Sequence, residues 1–159
     1  MKTCFICSKL GPLKLTFDGS FLIKISFVDA NIKVEETVDE QALLFKKQLT
    51  SYLEGKSIGF TIPYKLITTP FQKRVLKAVS TIRYGDRKTY QEIGRMIDSK
   101  AYRAIGNALR NNPLPLVIPC HRAVSKSGDN SFYLGRKSNI KEKLLQLELT
   151  HRQLLFQAS

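Results

Sequence analysis

Branched and aromatic residues crowd three short runs near the start of the chain, "KTCFICS", "LKLTF" and "FLIKISFV". Runs of that composition bounded by turn residues predict strands. Asp18-Gly19 between the second and third is a hairpin dipeptide, so the three predict a small antiparallel sheet. The period then changes. From Asp39, "DEQALLFKKQLTSYLEG" sets Ala42, Leu43, Phe45, Leu49, Tyr52 and Leu53 on one broad apolar face. Acids in its first turn and Gly55 at its end complete the pattern of a helix that covers the sheet.

The Pro- and Thr-containing stretch "TIPYKLITTP" interrupts this pattern and predicts a boundary: a scaffold domain over residues 1–62, a linker over 63–69, and a second domain over 70–159. The second domain is punctuated by helix caps. "TPFQ" offers Thr69 as N-cap, Pro70 at the first helical position and Gln72 three residues past the cap, ahead of Phe71, Val75, Leu76 and Val79. "TYQE" repeats the arrangement with Thr89 and Glu92 before Ile93, Met96 and Ile97. A third helix begins after Ser99 and runs through "AYRAIGNALRN". The short "DSK" connection between the last two makes them a helix-turn-helix candidate. On the third helix Ile105, Ala108 and Leu109 share one side, while Arg103, Gly106 and Arg110 form a basic, nearly flat opposite side. Such a face would admit a nucleic-acid groove closely.

Charge strengthens that reading. The chain has 159 residues and a formal net charge of +13, with 43% hydrophobic residues, enough for a packed core. Residues 1–69 hold nine Lys and Arg against seven Asp and Glu, and residues 70–159 hold seventeen against six. A polyanionic partner therefore belongs to the second half. No apolar run is long enough to span a bilayer, and "TCFIC" is too short for a signal-peptide core, so the expectation is an intracellular protein, cytoplasmic or, in a eukaryote, nuclear. Three cysteines are expected as thiols in a reducing compartment. Cys4 and Cys7 have a zinc-like spacing but too few companion ligands, and the expectation for both is strand packing, with no metal. The tail "HRQLLFQAS" carries Leu154, Leu155 and Phe156, which either pack back or bind elsewhere.

Candidate chemistry sits in "LPLVIPCHRAV", residues 114–124, where Cys120 stands between Pro119 and His121. A thiol beside an imidazole is either inert packing or a nucleophile. Glu148, one turn after Leu144 and Leu145 on the last predicted helix, reads by itself as an ordinary helix carboxylate.

In order and spacing, "TPFQKRVLKAV", "YGDRKTYQEIG", "YRAIGNALRNNPLPLVIPCHRAV" and "KEKLLQLE" resemble the O6-alkylguanine-DNA alkyltransferases, or methylated-DNA–protein-cysteine methyltransferases, over Thr69 to Glu148. The resemblance implies an α/β (α+β) fold: a small N-terminal antiparallel sheet with a covering helix, ribonuclease-H-like, then a mostly helical, winged-helix or helix-turn-helix-like domain for DNA binding and catalysis. It implies a monomer that acts on double-stranded DNA containing O6-alkylguanine, and on O4-alkylthymine, with no cofactor and no membrane. Cys120 would accept the alkyl group irreversibly in a single turnover, with its proton passing through a water to His121, oriented by Glu148. Tyr90 would donate to the departing base and Asn112 would brace the turn before the nucleophile. Arg103 would fill the gap left by the flipped nucleotide, Tyr102, Gly106 and Arg110 would complete the DNA contacts, and Arg122 would have a structural or phosphate-binding role. Pro115, Ala123, Tyr133, Leu134 and Gly135 would shape the lesion pocket. The "NSFYLGRKSN" loop departs from the family's glycine-rich pattern. Two other readings remain at this point: a non-catalytic binder of alkylguanine lesions, and an unrelated Cys-His hydrolase.

Overall fold

The computed structural model describes residues 1–157, with side chains through residue 153. It divides into two compact units, Met1–Ile67 and Thr68–Ser159. The side chains of Leu154, Leu155 and Phe156 lie outside the described ones.

In the first unit β1 (Lys2–Ile6), β2 (Leu13–Asp18) and β3 (Phe21–Phe27) form an antiparallel meander with β2 in the centre. Asp18 pairs with Phe21 across a tight turn in which Gly19 has φ 58°, a conformation that favours glycine. Leu13, Leu15 and Phe17 alternate into the core beside Cys4 and Ile6, as a sheet buried on one face requires. α1 (Glu40–Leu53) covers that face with Ala42, Phe45, Leu49 and Tyr52. Its N-cap is Asp39, whose carboxylate accepts the backbone N–H groups of Gln41 and Ala42. Leu43, expected on the buried face, is 52% exposed, because the buried stripe runs 42, 45, 49, 52 and leaves 43 at its flank. Cys4 packs in the strand, whereas Cys7 lies past its end and is exposed. The expected linker begins inside this unit: the Leu22 N–H donates to the Pro63 carbonyl, and the Lys65 N–H donates to that of Leu22.

The second unit is built on three helices, α2 (Pro70–Ser80), α3 (Tyr90–Met96) and α4 (Tyr102–Arg110). Thr69 caps α2 through the Gln72 N–H, but the Gln72 side chain does not reach back to complete a capping box. Its amide donates instead to the carbonyls of Ala108 and Asn111, satisfying two groups at the end of α4 that the helix cannot bond itself. The Thr89–Glu92 capping box of α3 is complete. Asp98, at φ 54°, turns the chain between α3 and α4. A Cβ on Gly94 would lie 2.5 Å from the Ser99 carbonyl oxygen and 2.9 Å from the Tyr102 ring, so only glycine permits this close crossing. Met96, expected inside, is exposed, and Ile97 at the helix end is buried in its place.

After α4 a turn over residues 112–118 leads into one 3₁₀ turn, Cys120–Arg122. β5 (Ala123–Val124) then runs parallel to β4 (Lys88–Thr89), tying the 3₁₀ turn to the start of α3. The hairpin β6 (Phe132–Tyr133) and β7 (Arg136–Lys137) follows, and α5 (Ile140–Gln157) closes the unit. Among the described residues, no helix is long and apolar enough to cross a membrane.

Candidate active site

Every buried polar or charged side chain identified in the core, namely Asn112, His121, Arg122, Lys141 and Glu148, belongs to one neighbourhood around Cys120. Burying such groups is costly unless they are paired, and here they are. The Asn112 amide donates to the Ile118 carbonyl (3.0 Å) and its oxygen accepts the Leu114 N–H (3.0 Å), which braces a turn that passes through Leu116 at φ 75°. The same side chain hydrogen-bonds the Cys120 sulfur.

Glu148 gathers four donors. His121 Nε2 lies 2.8 Å from Oε2, Arg122 donates through Nε (2.9 Å) and its terminal nitrogen (3.0 Å), and the Gly85 N–H donates at 3.0 Å. Burial alone would raise the Glu148 carboxyl, but the bonds and charges of His121 and Arg122 outweigh it and hold the group well below the usual carboxylate range. Glu148 is therefore ionised and can only accept, so His121 carries its proton on Nε2. Burial favours the neutral imidazole despite the Glu148 bond. A neutral ring protonated on Nε2 presents Nδ1 as a proton acceptor.

Both shifts make the fold acid-sensitive with the same sign. The unfolded chain takes up a proton on His121 below its ordinary 6.5, and on Glu148 below its ordinary 4.5, before the folded chain does. Stability is therefore whole above about pH 6.5, declines as pH falls through that value, and declines more steeply below about 4.5. Urea midpoints measured across that range check this; a flat profile down to pH 4 would contradict it.

Burial pushes the Cys120 thiol up, opposed by the Asn112 bond, the positive charge of Lys141 and the Tyr133 hydroxyl. Lys141 is itself buried and donates to the Ala123 carbonyl at 2.6 Å. Desolvation lowers its pKa, while negative charge on Cys120 would raise it. The sulfur opens on a pocket of about 340 Å³ lined by Tyr90, Arg110, Tyr133, Leu134 and Lys141 among others, within the range of small-molecule sites. Burial raises the Tyr90 phenol, which keeps it a donor at neutral pH. Phe132 stands at the pocket wall, 57% exposed.

Of the residues expected to shape the pocket, Tyr133, Leu134 and Gly135 line it. Pro115 does not: it is buried within the 112–118 turn, bridged to Ile118. Ala123 does not either, because it pairs with Lys88 in the two-strand ladder and faces Lys141 with its carbonyl. Of the structural and phosphate-binding roles expected for Arg122, its bonds fit the structural one: it is spent internally on Glu148 and the Ile82 carbonyl, with its side chain 9% exposed. Arg103 and Arg110 are exposed on α4, and the space beside Gly106 is open. Tyr102 is 38% exposed, with its ring against Gly94. Lys141 and Phe132 were not expected. Lys141 had a signal: with Leu144, Leu145 and Glu148 it completes an i, i+3, i+4, i+7 stripe. Among the described residues no cluster of His, Cys, Asp and Glu could hold a metal ion.

Leu134 and Gly135 form the turn of the β6–β7 hairpin with φ 53° and 79°, which suits an Asn-Gly pair and strains leucine. Leu134→Asn is expected to stabilise the chain by about 1 kcal/mol, read as a rise in thermal midpoint, while removing apolar pocket wall. An unchanged or lowered midpoint would contradict the assigned strain.

Residues 70–150 match the family model for the DNA-binding domain of 6-O-methylguanine DNA methyltransferase. The constitutive methylated-DNA–protein-cysteine methyltransferase of Bacillus subtilis is 36% identical over 132 residues, covering 80% of each chain. That of Methanosarcina barkeri is 36% identical over 147 residues, covering 89% of this chain and 92% of its own. The crystal structure of Mycobacterium tuberculosis OGT in complex with DNA superposes with a TM-score of 0.80 at 36% identity, over 92% of each chain.

Proposed function

The chain belongs to the methylated-DNA–protein-cysteine methyltransferase family, and from that membership we infer that it repairs DNA by direct reversal, moving the alkyl group of O6-alkylguanine onto Cys120. O4-alkylthymine is a second substrate. The observation that carries this reading is a buried Cys120 sulfur that opens on a pocket, with Asn112 and Lys141 acting on it and the buried His121–Glu148 pair beginning at the next residue.

The basic face of α4 docks on double-stranded DNA through Arg103 and Arg110, with Gly106 allowing close approach and Tyr102 at its edge. The target carbon is unreachable inside a duplex, so the nucleotide is flipped into the pocket and Arg103 fills the vacated stack. His121 Nδ1 takes the Cys120 proton through a bridging water, and Lys141 and Asn112 support the thiolate. The sulfur attacks the alkyl carbon; the S–C bond forms as the C–O bond breaks, and the bonding pair passes to the purine. Tyr90 donates its phenolic proton to the departing base and is reprotonated from the proton released by the thiol. The thioether does not hydrolyse, so each monomer acts once. An acceptor that must stay a thiol fits a reducing, intracellular setting.

An equimolar duplex carrying one O6-methylguanine provides the test. Expected are loss of methyl from the DNA, a matching mass gain on the protein, and no turnover beyond one equivalent. Tight binding without mass gain would favour the lesion-binding reading, and repeated turnover would exclude the suicide mechanism. Affinity should fall steeply with salt, and Arg103→Ala should weaken binding and slow transfer about tenfold or more, as measured by titration and single-turnover kinetics.

A further inference from the structure

Glu148 and Arg152 are one turn apart on α5 and grip opposite sides of the same residue. The Gly85 N–H donates to Glu148 Oε1 at 3.0 Å, and the Gly85 carbonyl accepts from Arg152 at 3.3 Å. Arg152 also pairs with the Asp86 carboxylate at 2.8 Å. Its methylene stem lies against the Gly85 α-carbon, where a Cβ would stand 2.5 Å from Arg152 Cδ. Gly85 has φ 84°, a conformation that favours glycine, in a turn closed by the Asp86 N–H on the Arg83 carbonyl. Arg152 lies beyond residue 150, where the family match ends.

We propose that Arg152 and Asp86 are positioning residues for alkyl transfer: they clamp the Gly85 peptide so that its N–H fixes Glu148, and through Glu148 the imidazole that receives the thiol proton. This rests on the repair reading above. The Arg152–Asp86 pair is partly exposed and contributes little to stability by itself. Its effect is on a buried carboxylate that faces His121 and Arg122 directly, with Tyr84 beside it and Lys141 acting on the same imidazole. With the Gly85 N–H released, Glu148 becomes more basic, and His121 holds a proton to higher pH.

The test uses the full chain as wild type, Arg152→Ala, Asp86→Asn and Arg152→Lys, with single-turnover methyl transfer from an O6-methylguanine duplex followed from about pH 5.5 to 9. Both disrupting variants are expected to lose about three- to tenfold in rate near neutrality, with the acid limb of the profile moved to higher pH. Arg152→Lys restores the ion pair and recovers most of the rate, and DNA affinity stays within about twofold. Wild-type profiles in both disrupting variants would overturn the proposal. So would a uniform fall that tracks a loss of thermal midpoint with the acid limb unmoved. A wild-type chain that takes up no methyl group would overturn the repair reading itself, which separates the two failures.

Discussion

Glu148→Leu is expected to cost the second unit about 3–5 kcal/mol, the usual result of removing one partner from a buried ion pair. The substitution leaves the Arg122 guanidinium with the Ile82 carbonyl and the Tyr84 ring, and it strips the Gly85 N–H and His121 of their buried acceptor. Whole domains are stable by only about 5–15 kcal/mol, so the variant should lie near its unfolding threshold. Adding Arg122→Met to Glu148→Leu replaces the pair by apolar groups and should recover much of the loss, because the uncompensated charge is what destabilises. Denaturant titrations of the two variants decide it. A loss below about 1 kcal/mol in Glu148→Leu would mean that the network is hydrated and gains little from its burial.

Lys141→Met is expected to leave the fold in place and slow methyl transfer near neutrality by at least about tenfold, because a neighbouring opposite charge typically shifts a pKa by about 1–3 units. Methionine keeps the apolar stem and removes the positive charge that opposes the upward push of burial on Cys120. The rate should return as pH is raised, since alkali restores the thiolate. A pH–rate profile therefore separates this effect from misfolding, which would lower the whole curve. An unshifted profile with normal rate would remove Lys141 from the chemistry.

Much of this arrangement was legible before any coordinates. Thr69, Thr89 and Asp39 marked their helix starts because capping is local chemistry, settled within four residues. Asp18-Gly19 marked its hairpin for the same reason. Cys120 and His121 stood out from their motif, and Glu148 from the family resemblance, with its helix register in support. What escaped was set by partners distant in sequence. Gln72 looked like the second half of a capping box, yet it serves the end of α4, more than thirty residues on. For Arg122 a structural and a phosphate-binding role both stood open, because nothing local reveals that Glu148 and the Ile82 carbonyl converge on it. Pro115 and Ala123 are near the nucleophile along the chain but point into the turn and the ladder that hold it. Lys141 went unremarked, although its stripe with Leu144, Leu145 and Glu148 placed it on the inward face.

The central claim is that the sulfur of Cys120, alone among three thiols, accepts the alkyl group. Peptide mapping by mass spectrometry after reaction with an O6-methylguanine duplex tests it most directly. The methyl group should be found on the fragment containing Cys120, with Cys4 and Cys7 unmodified and the Cys120→Ala chain taking up none. Methylation at Cys7, or uptake that survives Cys120→Ala, would contradict the account.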